Sequence, residues 1–210
     1  MTATARQTLR GVLATAIAMG ALAILQPWTV RPIQSSQPKV FDAVAYVTEA
    51  WPRVLDDATR SARDLQSARR ASVAPRGDGA PPSRRPVFVT VTGIVTEIDR
   101  RSRVGVAYLQ TPGGSSERVA VQVGPVLRGT ALRDAVSFLR FTDFANQSDF
   151  AAVSNALNDR VLRDVLGPLD VASLPGRTVT VTGAASFAGG GYDRPVDLVP
   201  IVVRIERGGR

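Results

Sequence analysis

Apolar residues follow four different spacings along this chain. From Gly11 to Leu25 the only polar side chain is Thr15, and apolar character partly continues through Trp28, Val30 and Ile33. The stretch Gly11–Val30 is about one bilayer span in length. With Arg6 and Arg10 ahead of it, the segment 1–33 reads as a signal anchor or transmembrane segment, and Trp28 suits a membrane interface. A run without a polar face does not suit a helix on the surface of a soluble domain. Ala21-Leu22-Ala23 would also suit a signal peptidase, which leaves cleavage open. Basic residues on both flanks leave the orientation open as well.

The spacing then becomes helical. Phe41, Val44, Ala45, Val47, Trp51, Leu55, Ala58, Ala62 and Leu65 predict an amphipathic helix within 40–70, which Pro52 should kink or restart. Glu49, Asp56 and Asp57 alternate with Arg53, Arg60 and Arg63 on its wet side. Across 71–86 apolar residues thin out, and Gly77, Gly79, Pro81, Pro82 and Arg84-Arg85 describe a linker.

From Val87 the period is two. Val87–Ile98, Val104–Leu109 and Arg118–Val123 predict three strands, separated by turns at Asp99–Ser102 and Pro112-Gly113-Gly114. Helical spacing returns over Ala131–Leu139 and Phe150–Leu166, and strands follow at Thr178–Phe187 and Val196–Glu206. The class is therefore α+β. Three strands, a helical insertion over 129–167 and two more strands is the order of an OB-like five-stranded antiparallel β-barrel, here spanning 87–207. Gly93 and Gly183 fall within the first and fourth strands, where a small barrel bends sharply. The strand–helix–strand order is self-contained, so 86–210 is expected to fold without the helix ahead of it.

Composition narrows the chemistry. Among 210 residues there is no Cys and no His, which removes thiolate chemistry, Cys-type zinc sites and the commonest general base. No cofactor is implied. The net charge of +8 and pI near 11.2 suggest a nucleic-acid binder until they are mapped. Residues 86–210 hold fourteen Arg against twelve acids, so the globular part is nearly balanced and nucleic acid is not the expected partner. Gly189-Gly190-Gly191 is a hairpin tip rather than a phosphate loop, since no Lys-Ser/Thr pair follows it.

One long stretch carries a specific resemblance. Gly124-Pro125-Val126-Leu127-Arg128-Gly129-Thr130-Ala131-Leu132-Arg133-Asp134, then Phe141-Thr142-Asp143-Phe144-Ala145-Asn146-Gln147 and Val153-Ser154-Asn155-Ala156-Leu157-Asn158, resemble DUF2291, a family of predicted bacterial periplasmic lipoproteins. Phe41-Asp42, Tyr46-Val47, Trp51, Gly93-Ile94-Val95 and Gly176–Gly183 fit the same pattern. The resemblance implies a place outside the cytoplasmic membrane and an association with ABC-type sugar transport systems. This chain departs from lipoprotein members in having no lipobox cysteine, so attachment to the inner membrane falls to its own apolar segment.

The polar residues Arg128, Thr130, Arg133, Asp134, Asp143, Asn146, Gln147, Asn155 and Asn158 form the candidate ligand- or partner-binding set. Amides, guanidinium groups and carboxylates together suit a sugar, and Asp134 with Asp143 could serve as acid and base. The same groups could equally cap helices, pair internally or clamp backbone carbonyls. Three functions stay open. The first is a non-catalytic extracytoplasmic accessory or binding module, whose partners would be the membrane and a sugar or transporter subunits. The second is an oligonucleotide-binding OB surface using Phe88, Tyr108 and Phe187, and the third is an undescribed periplasmic hydrolase.

Overall fold

The computed structural model describes residues 40–73, 85–112, 118–187 and 194–206. The expected membrane segment at 1–33 and the glycine triplet at 189–191 lie outside the described residues. Among the described residues no helix is long and apolar enough to cross a membrane. From Phe41 onward the chain forms one unit.

That unit opens with helix α1, Ala43–Ser61, whose N-terminus is capped by Asp42 accepting from the Val44 and Ala45 amides. Pro52 lies inside α1 on an exposed position, and the helix runs through it. The single helix expected over 40–70 is instead two. Ala62 turns extended, Arg63–Asp64 pair in parallel with Val89-Thr90, and helix α2 begins at Leu65 and runs to Val73. Leu65 and Ala68 of α2 are buried with Val47, Trp51, Val54 and Ala58 of α1 in one cluster.

Strand β1 is Val87–Asp99, β2 is Val106–Gln110 and β3 is Arg118–Gln122. Helix α3, Ala131–Ala135, and helix α4, Gln147–Val161, make up the insertion, and α4 continues into a π-turn at Leu162–Leu166. Strands β4, Thr178–Ser186, and β5, Val196–Ile205, complete the set. Pairing runs β1-β2-β3-β5-β4 and returns to β1 through eight residue pairs, from Val87↔Ala185 to Ile94↔Thr178. The sheet is closed. This is an OB-like barrel with helices, as the element order predicts.

One detail corrects the antiparallel expectation: β3 and β5 run parallel, from Val119↔Val196 to Val121↔Leu198. The reason is parity. Directions cannot alternate all the way around a closed ring with an odd number of strands, so one pair must run the same way. In the middle of β5 the strand bulges, with Gly183 facing Pro200. A Cβ on Gly183 would lie 2.3 Å from the Val199 carbonyl oxygen, so the two strands approach too closely there for any side chain.

The barrel interior is filled. Val95, Leu109, Val121, Val179 and Val181 point inward, Leu169 and Leu174 close in from the post-α4 segment, and about 10 Å³ stays free. That is at or below the space one water needs, so the barrel is a core rather than a ligand chamber. Any ligand must bind outside it. The outer face is covered in part: Phe88 is 1% exposed although it alternates with the inward valines, and α1 and α2 pack over β1. Val47, Trp51, Val54 and Ala58 of α1 belong to the same apolar cluster as the barrel valines. These contacts differ from the picture of a self-contained 86–210.

Candidate functional site

The loop after β3 is held from both sides. The Arg128 amide donates to Gln122 Oε1 at 2.8 Å, and the Gln122 amide donates back to the Arg128 carbonyl at 3.4 Å. Gly129 follows with φ +90°, a conformation glycine adopts freely, and its carbonyl turns toward α4. There Asn158 Nδ2 at 3.1 Å and Ser154 Oγ at 3.2 Å both donate to it. Asn158 and Ser154 are buried, one helical turn apart on one face of α4. Together they fix the loop to the helix.

Helix α3 carries the next group. Thr130 Oγ donates to Asp134 Oδ2 at 2.6 Å, and Arg133 donates to Asp134 Oδ1 from Nε at 2.9 Å and Nη2 at 2.7 Å. The third Arg133 contact is Nη1 to the Phe150 carbonyl at 3.2 Å, with the guanidinium 3.8 Å above the Phe150 ring. Asp134 therefore has both oxygens occupied by neighbours. Asp143 sits on the short helical turn Phe141–Asp143, accepting from the Arg140 amide at 3.3 Å, and is not among the residues lining the groove that Asp134 lines.

The remaining members divide. Asn146 caps α4, accepting from the Asp149 amide at 2.9 Å. Gln147 and Asn155 are exposed on α4, and the Arg128 side chain is exposed near Asp197. Burial pushes the Asp197 carboxyl above its ordinary value, and the Arg128 charge pulls it back. The nine residues are thus spread over a loop clamp, an α3 ion pair, the start of α4 and exposed positions. Among the described residues no group of three or more His, Cys, Asp or Glu is placed to hold a metal.

What lies beside them is a surface groove of about 730 Å³ lined by Arg85, Pro86, Asp134, Ser137, Leu139, Arg140 and Phe150. Arg85 donates from Nε to the Asp134 carbonyl at 2.6 Å and from Nη2 to the Val136 carbonyl at 3.2 Å, which pins the end of the 71–86 linker to one wall. Asp57 of α1 holds the same segment one residue on, accepting from the Ser137 amide at 2.7 Å and hydroxyl at 2.9 Å. Only Asp134 of the sequence-derived set lines this groove. Ser154 was legible as the i,i+4 partner of Asn158, but the Asp57–Ser137 clamp joins residues 80 apart and leaves no trace in spacing.

A chain of aromatic rings adjoins the groove. Phe41, Tyr46 and Phe144 meet pairwise at centroid distances of 5.5–5.7 Å, Phe144 meets Phe150 at 5.3 Å, and Phe150 meets Phe141 at 5.6 Å. Burial among these rings raises the Tyr46 hydroxyl pKa, and the nearby Asp143 charge raises it further.

Two substitutions separate scaffold from surface on α4. Asn158→Ala removes one of the two buried donors to the Gly129 carbonyl, leaving Ser154, and is expected to cost ~0.5–1.5 kcal/mol. Gln147→Ala, on an exposed position, is expected to stay within ~0.5 kcal/mol of the parent. Urea unfolding of both variants checks this, and equal costs would mean that the α4 burial pattern is misassigned.

The family described as "Predicted periplasmic lipoprotein (DUF2291)" matches residues 15–204. No curated protein matches the chain. Among solved structures, an OB-fold protein from Thermotoga maritima is similar at 17% identity and a TM-score of 0.58, covering 80% of this chain and all of that one (100%). The likeness is one of fold. An OBody bound to hen egg-white lysozyme aligns at 16% identity over 59% of this chain and 97% of that one, with a TM-score of 0.31. The Stn1–Ten1 complex of S. pombe aligns at 15% identity over 73% of this chain and 76% of that one, at 0.28. Neither score supports an argument.

Proposed function

The chain belongs to the DUF2291 family of predicted periplasmic lipoproteins, and on that footing we propose that it is a membrane-anchored accessory or binding module of a sugar transport system of the ABC type. It works outside the cytoplasm and without catalysis. The observation that carries this reading is the groove between α3 and α4. It sets the remaining lone pairs of Asp134 Oδ2 and the Ser137 hydroxyl oxygen beside the Phe150 ring, with the Arg140 side chain on the exposed rim, and a polyol needs paired acceptors and donors over an apolar face. The α3 side is tied by Asp57 and Arg85, so that wall is formed before a ligand arrives and less ordering opposes binding.

The oligonucleotide reading has less support. Phe88 is 1% exposed and offers no face to a base, while the Arg118 guanidinium lies 5.3 Å from the Tyr108 ring centroid. The hydrolase reading lacks a base, because Asp134 is committed to Thr130 and Arg133.

Calorimetric titration of the detergent-solubilised full chain with a panel of pentoses and hexoses tests the proposal. At least one sugar is expected to bind saturably. Arg140→Ala, on the exposed rim, should weaken it about tenfold, or ~1.4 kcal/mol, with the melting temperature unchanged. A panel without binding, or equal binding by the variant, would remove the groove as the site.

A further inference from the structure

We infer that the exposed rim of the ring cluster of Phe41, Tyr46, Phe141, Phe144 and Phe150, led by Phe141, is a lipid-facing surface, which seats the globular unit on the headgroup layer of the membrane that anchors it. The inference rests on the anchored reading above and adds to it a second, non-covalent contact. The first observation is concentration. Five of the twelve aromatic residues in the chain lie in one contiguous cluster, outside the barrel. Phe141 is 53% exposed at its edge, on a short turn held by the Arg140–Asp143 bond. Phe41, Tyr46 and Phe144 pack partly against the core and Phe150 meets Phe141 edge-on, which leaves half of the Phe141 ring in water, and rings that are apolar at the body and wet at the rim favour the bilayer interface.

The second observation is position in the chain. Phe41 is both a member of the cluster and the first residue of this unit, so the polypeptide arriving from the apolar run enters at the cluster itself. Val30 and Phe41 are eleven residues apart, and at ~3.3–3.6 Å per residue the connection reaches ~36–40 Å at most. Contact with the headgroups is within that reach. Tethering also raises the effective concentration of lipid at the cluster, so a weak apolar contact suffices.

Charge points to the kind of lipid contact. Arg133 stacks on Phe150, Arg53 acts on Tyr46 and Arg140 adjoins Phe141, but Glu49, Asp143 and Asp149 offset them at the same rim. Apolar insertion therefore carries the attachment, and anionic lipid is not required.

The absence of cysteine makes the test direct, since one introduced thiol takes one nitroxide label. The full chain is labelled in turn at Gly20→Cys, Phe141→Cys and Ile94→Cys and placed in phosphatidylcholine nanodiscs. Collisions with oxygen, which concentrates in lipid, are compared with collisions with a water-soluble nickel chelate. Ile94 is a control in the barrel wall, 48% exposed and outside the cluster. Position 141 is expected to become oxygen-rich and nickel-poor on reconstitution, in low and high salt alike, while position 94 stays water-like. A water-like signal at 141 with a lipid-like signal at 20 overturns the seating and leaves the anchor standing. Shielding of 141 from both reagents overturns it in favour of a protein on that face. A water-like signal at 20 removes the anchor and the inference together.

Discussion

A fragment spanning residues 86–210 is expected to show no cooperative thermal transition, whereas one spanning 41–210 melts cooperatively. Removing α1 and α2 exposes the partners of Trp51, Val54, Ala58, Leu65 and Ala68, all buried in one cluster with the barrel. Losing Trp51 alone is worth ~3–5 kcal/mol in a packed core, which is comparable with the ~5–15 kcal/mol that holds a typical domain together. The fragment also loses Asp57, which orders Ser137, and uncovers the helix face of α4 against which α1 packs. Circular dichroism melts of the two fragments give the comparison. A fragment of 86–210 that melts as sharply and nearly as high as the longer one would restore the independent barrel expected from the order of its strands.

Of the glycines inside the described strands, Gly183 should be the one most damaged by an added methyl, as in Gly183→Ala. Its Cβ would stand 2.3 Å from the Val199 oxygen and 2.9 Å from Pro200 Cα, both backbone atoms that cannot swing aside. The β4–β5 register would have to open where it already shifts, so overpacking of ~3 kcal/mol or more is expected, with a fall in melting temperature of roughly 10 °C. Gly129→Ala is the informative contrast. No atom lies within 4 Å of its added Cβ, so only the positive φ resists, at ~1–2 kcal/mol. If Gly129→Ala proves the costlier of the two, close strand approach is not what Gly183 provides.

The barrel was readable because each of its strands carries its own signal. The β-branched run at Val87–Ile98, the Gly at 93 and 183, and the helical break between the third and fourth strands are local patterns, and local patterns survive in a single sequence. The 40–70 segment was half readable. Apolar spacing shows an amphipathic stretch, but nothing in Ala62 announces that it will leave the helix so that Arg63-Asp64 can pair with Val89-Thr90. That choice is tertiary. The polar set was legible as a group and not as a site: Asn158 and Asn146 have the same composition and nearly the same spacing, yet one clamps a buried carbonyl and the other caps an exposed helix end. The groove depends on Asp57, Arg85 and Phe150 arriving from three distant segments, and no window of sequence contains them together.

The parallel closing pair has a consequence for how such a domain reaches its compartment. Thr90 and Thr182, on β1 and β4, join hydroxyls across 92 positions, and β3 meets its last neighbour only when β5 is present. A chain that leaves the cytoplasm N-terminus first cannot close this ring until Val196–Ile205 has been made. Contacts of such long range also form slowly. The strand order thus leaves the ring open until its last strand is available.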